Sequence, residues 1–511
     1  MKKQSLIKGT MILGLATIFA RFLGLFFRIP IQQLIGDEGM GYYQMSYPLY
    51  MTFVAIASGV PIAMSKLISE FNAKQDVHAV RSVLSQTLKI MIPLGFVASF
   101  LMLYFGKQII DVLKWDVSSY NSFMVISLGP IFVCIMCTFK GYFQGMQNMN
   151  STAVSQVLEQ FGRVIFGVLF AYLLLPKGIA YAAAGAAFGT VAGGIVGSIY
   201  LVIKYFKVEK GVPKVKGKKE RRITGMILDA ALPISVGAAV GTIMSLIDSI
   251  IVPQRLLTAG FTSAESATLY GQFTGKAMTI QNVPLALSMA LCASLVPIIS
   301  EVYALHNRSE LERRVNMVFK LSFVIGIPSF LGLFFLARPV MGLVFMGDIG
   351  GHEILKLLSI TLPLIIITQT TTSVLQSCGK YMTPVYYLGV GCIFKVVITY
   401  FLVANPQFNI FGAIIGSIVG YAVTAMLNII EVKKLLRVKI SLNEIIIKPL
   451  FISLIMIIAV VFIYNNVYNY TMSNGISCIL AVFVGVIIFG ILAILFRVFT
   501  IEDVMGKLNR N

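Results

Sequence analysis

About fourteen apolar runs fill this sequence almost from end to end, broken only by short polar segments. Their approximate extents are 8–35, 41–71, 82–105, 119–143, 151–175, 179–205, 226–256, 268–302, 315–337, 354–378, 383–404, 410–436, 446–466 and 474–498. A helix needs ~20 apolar residues to cross a bilayer. The runs are continuously apolar and do not alternate, which excludes a β-barrel. With 57% hydrophobic and 12% charged residues and a mean hydropathy of +0.87, the expected fold is an all-α polytopic membrane protein of about 14 transmembrane helices.

The net charge of +20 is not spread over a soluble surface, so nucleic acid is not an expected partner. The cations gather in alternate loops: Lys2, Lys3 and Lys8; Lys74 and Arg81; Lys140; nine Lys/Arg from Lys204 to Arg222; Arg308, Arg313 and Arg314; Lys380; Lys433 to Lys439; and the C-terminal tail. The opposite loops, such as GDEGMG at 36–41 and NPQFN at 405–409, carry none. This asymmetry predicts both termini on the cytoplasmic side of a bacterial plasma membrane. The apolar stretch after Lys8 is too long for a signal peptide and is expected to remain as the first helix.

Six cysteines and three histidines are scattered, and Cys134 and Cys137 lie in an apolar helical run without a redox context. No phosphate-binding loop or paired-carboxylate motif occurs. Neither an enzyme, a metal site nor a cofactor is expected.

An internal repeat organises the chain. GYYQ (Gly41 to Gln44) and VPIAMSKLISE (Val60 to Glu70) frame the second run, as LYGQ (Leu269 to Gln272) and LVPIISE (Leu295 to Glu301) frame the eighth. An offset of six helices preserves orientation, so the repeats are parallel. The expected division is an N-terminal lobe at 1–206, a basic cytoplasmic linker at 207–225, a C-terminal lobe at 226–440, and two appended helices with a tail at 441–511.

Arg21 and Arg28 stand inside the first run with no carboxylate between Lys8 and Ile35. Seven residues turn a helix by ~700°, so both project from one face, ~10 Å apart. Unneutralised guanidiniums at membrane depth are costly and point to a watery cavity that receives an anion, and guanidinium matches phosphate through paired hydrogen bonds. Lys276, in the eighth run, is a third candidate. Lys66 with Glu70, and Arg163 with Glu159, stand at i,i+4 and either neutralise one another or line the cavity. Arg255 is placed at the cavity mouth or in water. Asp248 and Lys395, single charges in the seventh and eleventh runs, are expected to pair.

The segments ARFLGLFFRIPIQQLIGDEGMGYYQMSYPLY and GVPIAMSKLISEFNAKQD resemble the opening of the polysaccharide-biosynthesis/stage V sporulation protein B group, relatives of the MurJ lipid II flippases in the multidrug/oligosaccharidyl-lipid/polysaccharide (MOP) exporter superfamily. The flippases space the two arginines by six and follow the second with an acid; here the spacing is seven and Ile29 follows. Their second-helix arginine falls near Thr52 or Phe53, and Lys276 lies about a turn from their eighth-helix arginine. The resemblance implies two six-helix lobes in a V around a cationic cavity, two extra helices beside a lipid groove, and an undecaprenyl-diphosphate-linked sugar as cargo. In some flippases of this kind an acidic cluster in the second lobe holds sodium, and Lys395 beside Asp248 would replace the ion.

The function expected is a flippase carrying a lipid-linked oligosaccharide, lipid II first among them, from inner to outer leaflet by alternating access. It is expected to be a monomer among membrane lipids. A multidrug/cation antiporter of the same superfamily is the alternative, disfavoured because the deep charges of helices one, two, seven and eight are mostly basic. A membrane scaffold needs no buried arginines and has no docking domain in these short loops.

Overall fold

The computed structural model describes residues 6–209, 222–305, 308–436, 443–496 and 498, and the basic stretch expected as a linker lies largely outside them. Among the described residues the regular structure is helical throughout. The chain falls into two compact units, Met1–Gly271 and Gln272–Asn511. This division follows packing. The lobes expected at 1–206 and 226–440 follow instead from helix correspondence.

The first unit contains α1 (Leu6–Ala57), α2 (Gly59–Ala73), α3 (Val77–Tyr104), α4 (Gly106–Leu113), α5 (Ser119–Ile126), α6 (Gly129–Gly145), α7 (Met149–Leu174), α8 (Ile179–Glu209), α9 (Arg222–Thr258) and α10 (Ser263–Tyr270). Gly36, at φ 65° and ψ −172°, breaks α1 into the first two expected spans. Glycine alone adopts such a conformation without strain. Starts are set by side chains that satisfy orphan amides: Asp76 accepts from the Ala79 N–H at 2.9 Å, and Thr262 and Glu265 form a reciprocal capping box at α10. A core of Leu67 and Ile68 on α2, Val83 on α3, Phe143 on α6, Leu201 on α8 and Ile227 on α9 ties the helices at one end.

The α7–α8 pair packs backbone to backbone. Gly185, Gly189 and Gly193 of α8 meet the backbone of α7, and a Cβ on Gly193 would stand 2.4 Å from the Glu159 carbonyl oxygen. Without a hydrophobic drive between helices in lipid, such small residues permit the close van der Waals contact that holds them together.

The second unit holds a π-helical turn to Ala277, α11 (Met278–Ala304), α12 (Arg308–Phe335), α13 (Ala337–Val344), α14 (His352–Leu358), α15 (Thr361–Ser377), α16 (Thr383–Val403), α17 (Phe411–Leu436), α18 (Lys448–Thr471) and α19 (Asn474–Leu495). Val315, Val318 and Phe319 of α12 pack against Val374 and Leu375 of α15 and Val432 of α17. The appended pair α18 and α19 joins through Met456, Val460 and Ala481 against Ile327 and Leu331 of α12.

Among the described residues, ten helices are long and apolar enough to cross a membrane, or eleven if α14 and α15, bent by 42°, count as one span. Fourteen were expected. Two of the expected runs merge across the Gly36 break, and the runs 226–256 and 268–302 fall on helices whose side chains are only partly described.

Candidate functional site: an arginine among tyrosines

Tyr43, Tyr47 and Tyr50 follow one another at i, i+4 and i+7 after the Gly36 break, a spacing that puts them on one helix face. Their rings form a ladder, with centroids 5.5 Å apart between Tyr43 and Tyr47 and 6.1 Å between Tyr47 and Tyr50. Phe27 from the preceding limb of α1 meets Tyr43 edge-on at 6.3 Å.

Arg163 of α7 inserts its guanidinium into this ladder. Its carbon stands 5.2 Å from the Tyr47 centroid and 5.9 Å from that of Phe27, within cation–π range. Nη2 donates to the Tyr47 hydroxyl at 3.0 Å and to Thr190 Oγ1 at 2.9 Å, and Nε donates to the same Thr190 oxygen at 3.2 Å. Thr190 lies between Gly189 and Gly193, where the glycine seam brings α8 against α7. Arg28 is half-buried, and Tyr47, Tyr43 and Arg163 are the charged or titratable groups that act on it most.

Among the described residues no carboxylate pairs with Arg163. Glu159, one turn earlier, is held by Lys140 of α6 at 3.1 Å. The i,i+4 pairing of Glu159 with Arg163 is therefore replaced by a cross-helix pair. Lys140, read from sequence as a loop cation, sits within α6 with its side chain only 14% exposed. The cluster thus sets the Arg163 guanidinium among neutral hydroxyls, with Arg28 nearby and beside a Lys140–Glu159 pair that cancels itself.

The other candidates lie elsewhere. Arg21 is helical, but its side chain is outside the described residues. Lys66 is exposed on α2, and Arg255 is half-buried in the last turn of α9. Asp248 is buried on α9 in the first unit, where it acts electrostatically on Tyr270; Lys395 is buried on α16 in the second, backed by Gly420 of α17.

Lys276 sits in the π-helical turn of the second unit with its side chain wholly buried. Its ammonium donates to Asp348 at 2.5 Å and lies 5.6 Å from the Phe345 ring centroid. Asp348 belongs to the turn after α13 and is about half exposed. Burial alone would raise its carboxyl, but the Lys276 hydrogen bond, the Gly350 N–H and the Lys276 charge together hold it below the ordinary value.

A family profile described as Polysaccharide biosynthesis protein matches residues 6–303, more than half of the chain. The chain belongs to that family. A second profile, MatE, matches residues 274–401. Stage V sporulation protein B of Bacillus subtilis is 29% identical over 450 residues, covering 87% of this chain and 86% of that protein. Lipid II flippase MurJ of the same organism is 26% identical over 458 residues, covering 84% and 83%. A solved structure of lipid II flippase MurJ in an inward closed conformation superposes with a TM-score of 0.70 at 16% identity, over 97% of this chain and 100% of that one. The protein is a multi-pass membrane transporter of the MOP superfamily.

Three partners escaped the sequence reading. The tyrosine ladder carried a usable signal in GYYQMSYPLY, because its spacing is helical. Thr190 carried none beyond its place among glycines. Asp348 lies 72 residues from Lys276, in a turn that no periodicity connects to it.

Proposed function

We propose that this transporter moves an undecaprenyl-diphosphate-linked oligosaccharide, lipid II or a close relative, from the inner to the outer leaflet of a bacterial plasma membrane by alternating access, with both termini cytoplasmic. The observation that carries the reading is Arg163, whose charge is met within the helical bundle by hydroxyls and rings and by no carboxylate among the described residues. A site of that composition attracts an anion and repels a cationic drug. Nε and Nη2 are committed to Thr190 and Tyr47, which leaves the Nη1 edge for a phosphate oxygen. Arg28 supplies the second positive charge, and Arg21, seven residues earlier on the same helix, a third. Bringing a diphosphate through hydrocarbon without such compensation is prohibitive.

Lys276 contributes differently. Its charge is balanced by Asp348, so it engages a passing phosphate only as that ion pair opens. The names of the relatives support a lipid-linked cargo. Export of a net anion is favoured by an inside-negative potential by ~2.3 kcal/mol per charge per 100 mV.

A second reading, cation or drug antiport, rests on the MatE match and on the buried carboxyl of Asp248. One experiment separates the two. A strain depleted of its lipid II flippase is complemented with the parent and with Arg28→Ala and Arg163→Ala. Growth restored by the parent and lost in both variants supports the flippase. No rescue by the parent, together with tighter binding of cationic dyes than of undecaprenyl diphosphate, supports antiport.

A further inference from the structure

A second basic feature lies away from the tyrosine site. Arg81, Leu84, Leu88 and Ile92 follow one another at three- or four-residue steps along α3, Lys89 flanks this face, and with Tyr205 of α8 they line a groove of about 600 Å³. The volume is of the size that holds one small amphiphile.

Lys89 is the telling residue. It is exposed and lies seven residues, ~10 Å, into the apolar run that begins near 82, a place where an ammonium is favoured when an anion meets it. Side chains lean toward the helix N-terminus, so the Lys89 ammonium leans back toward Arg81. Leu84, Ser85 and Leu88 lie between the two cations in the lining, and Ile92 and Pro93 continue it with apolar surface. The same end of the unit carries Lys74 before α3 and Lys204 and Lys207 near the end of α8, the basic side where anionic lipids concentrate.

We propose that this groove seats one anionic glycerophospholipid of the basic-side leaflet. Its phosphate sits between Lys89 and Arg81, and an acyl chain runs along Leu84, Leu88 and Ile92. The lipid supplies the anion that meets Lys89, and Tyr205 bounds the seat on the α8 side. The inference stands apart from the cargo reading, because the groove and the Arg163 cluster have no residue in common.

The test is native mass spectrometry of the full-length protein in detergent, titrated separately with phosphatidylglycerol, phosphatidylcholine and undecaprenyl diphosphate. The parent is compared with Lys89→Gln, Lys89→Arg and the double variant Arg81→Gln/Lys89→Gln. Phosphatidylglycerol is expected to be retained over phosphatidylcholine, with retention falling roughly fivefold in Lys89→Gln, further in the double variant, and staying near parental in Lys89→Arg. Equal retention of the two phospholipids, parental retention in Lys89→Gln, or a stronger preference for undecaprenyl diphosphate that Lys89→Gln abolishes overturns the proposal. Should the double variant not fold, the single substitutions at exposed Lys89 decide it.

Discussion

Arg163 donates from Nη2 to the Tyr47 hydroxyl at 3.0 Å while its guanidinium carbon stands 5.2 Å from the centroid of the same ring. One tyrosine thus holds the cation by both its edge and its face.

This double contact separates two substitutions. Tyr47→Phe keeps the ring and removes the hydroxyl, and is expected to lower transport about fivefold, the weight of ~1 kcal/mol. Arg163→Ala removes the charge and is expected to lower it ~10- to 100-fold, as for a lost hydrogen bond to a charged partner. Lipid-linked substrate flipping in reconstituted vesicles measures both; equal effects would place the role of Tyr47 elsewhere.

Gly193 tests the seam that positions Thr190. An added Cβ would stand 2.4 Å from the Glu159 oxygen, so Gly193→Ala is expected to separate α7 from α8 and to cost ~1–3 kcal/mol. Gly389 of α16 has open space where its Cβ would be, and Gly389→Ala is expected to be neutral or slightly stabilising. Apparent melting temperatures in detergent give the contrast.

Asp348→Asn removes the carboxylate to which the buried Lys276 ammonium donates. A loss of about 1–3 kcal/mol is expected, less than for a fully buried pair because Asp348 is half exposed. The carboxyl is held below its ordinary value in the folded protein, so the pair contributes fully above about pH 4 and loses its contribution as pH falls through the lower, folded value. Thermal stability measured from pH 7 down to pH 3 is therefore expected to drop more steeply at the acid end in the parent than in Asp348→Asn.

At Gly36 the backbone holds φ at 65°, which an L-residue adopts only under strain. Gly36→Ala is expected to cost ~1–3 kcal/mol although no atom would clash with the added methyl. Faster amide exchange around 33–40, with the α12–α15 core unchanged, would mark the effect as local.

The helices were legible because lipid imposes a length on them: an apolar run of ~20 residues admits few other structures. Arg28 stands out by the same reasoning, since a charge in such a run calls for an explanation, and it lies within electrostatic reach of Tyr43, Tyr47 and Arg163. Partners brought by tertiary packing were not. Lys140 was counted as a loop cation because the loop-charge tally ignores how far a helix continues, and α6 runs on to Gly145. Glu159 had a near neighbour in sequence and a better one across the α6–α7 contact. Asp348 could have been linked to Lys276 only by knowing that the turn after α13 comes back beside the start of α11.

The glycine seam has a mechanical consequence. With α7 and α8 in backbone contact there is no slack for one to slide past the other, so the guanidinium of Arg163 and the hydroxyl of Thr190 travel as a single piece. Under the proposed function, the grip on an anion is carried ready-made through any movement of the transporter. What changes during a cycle is which other groups, and how much water, can reach it.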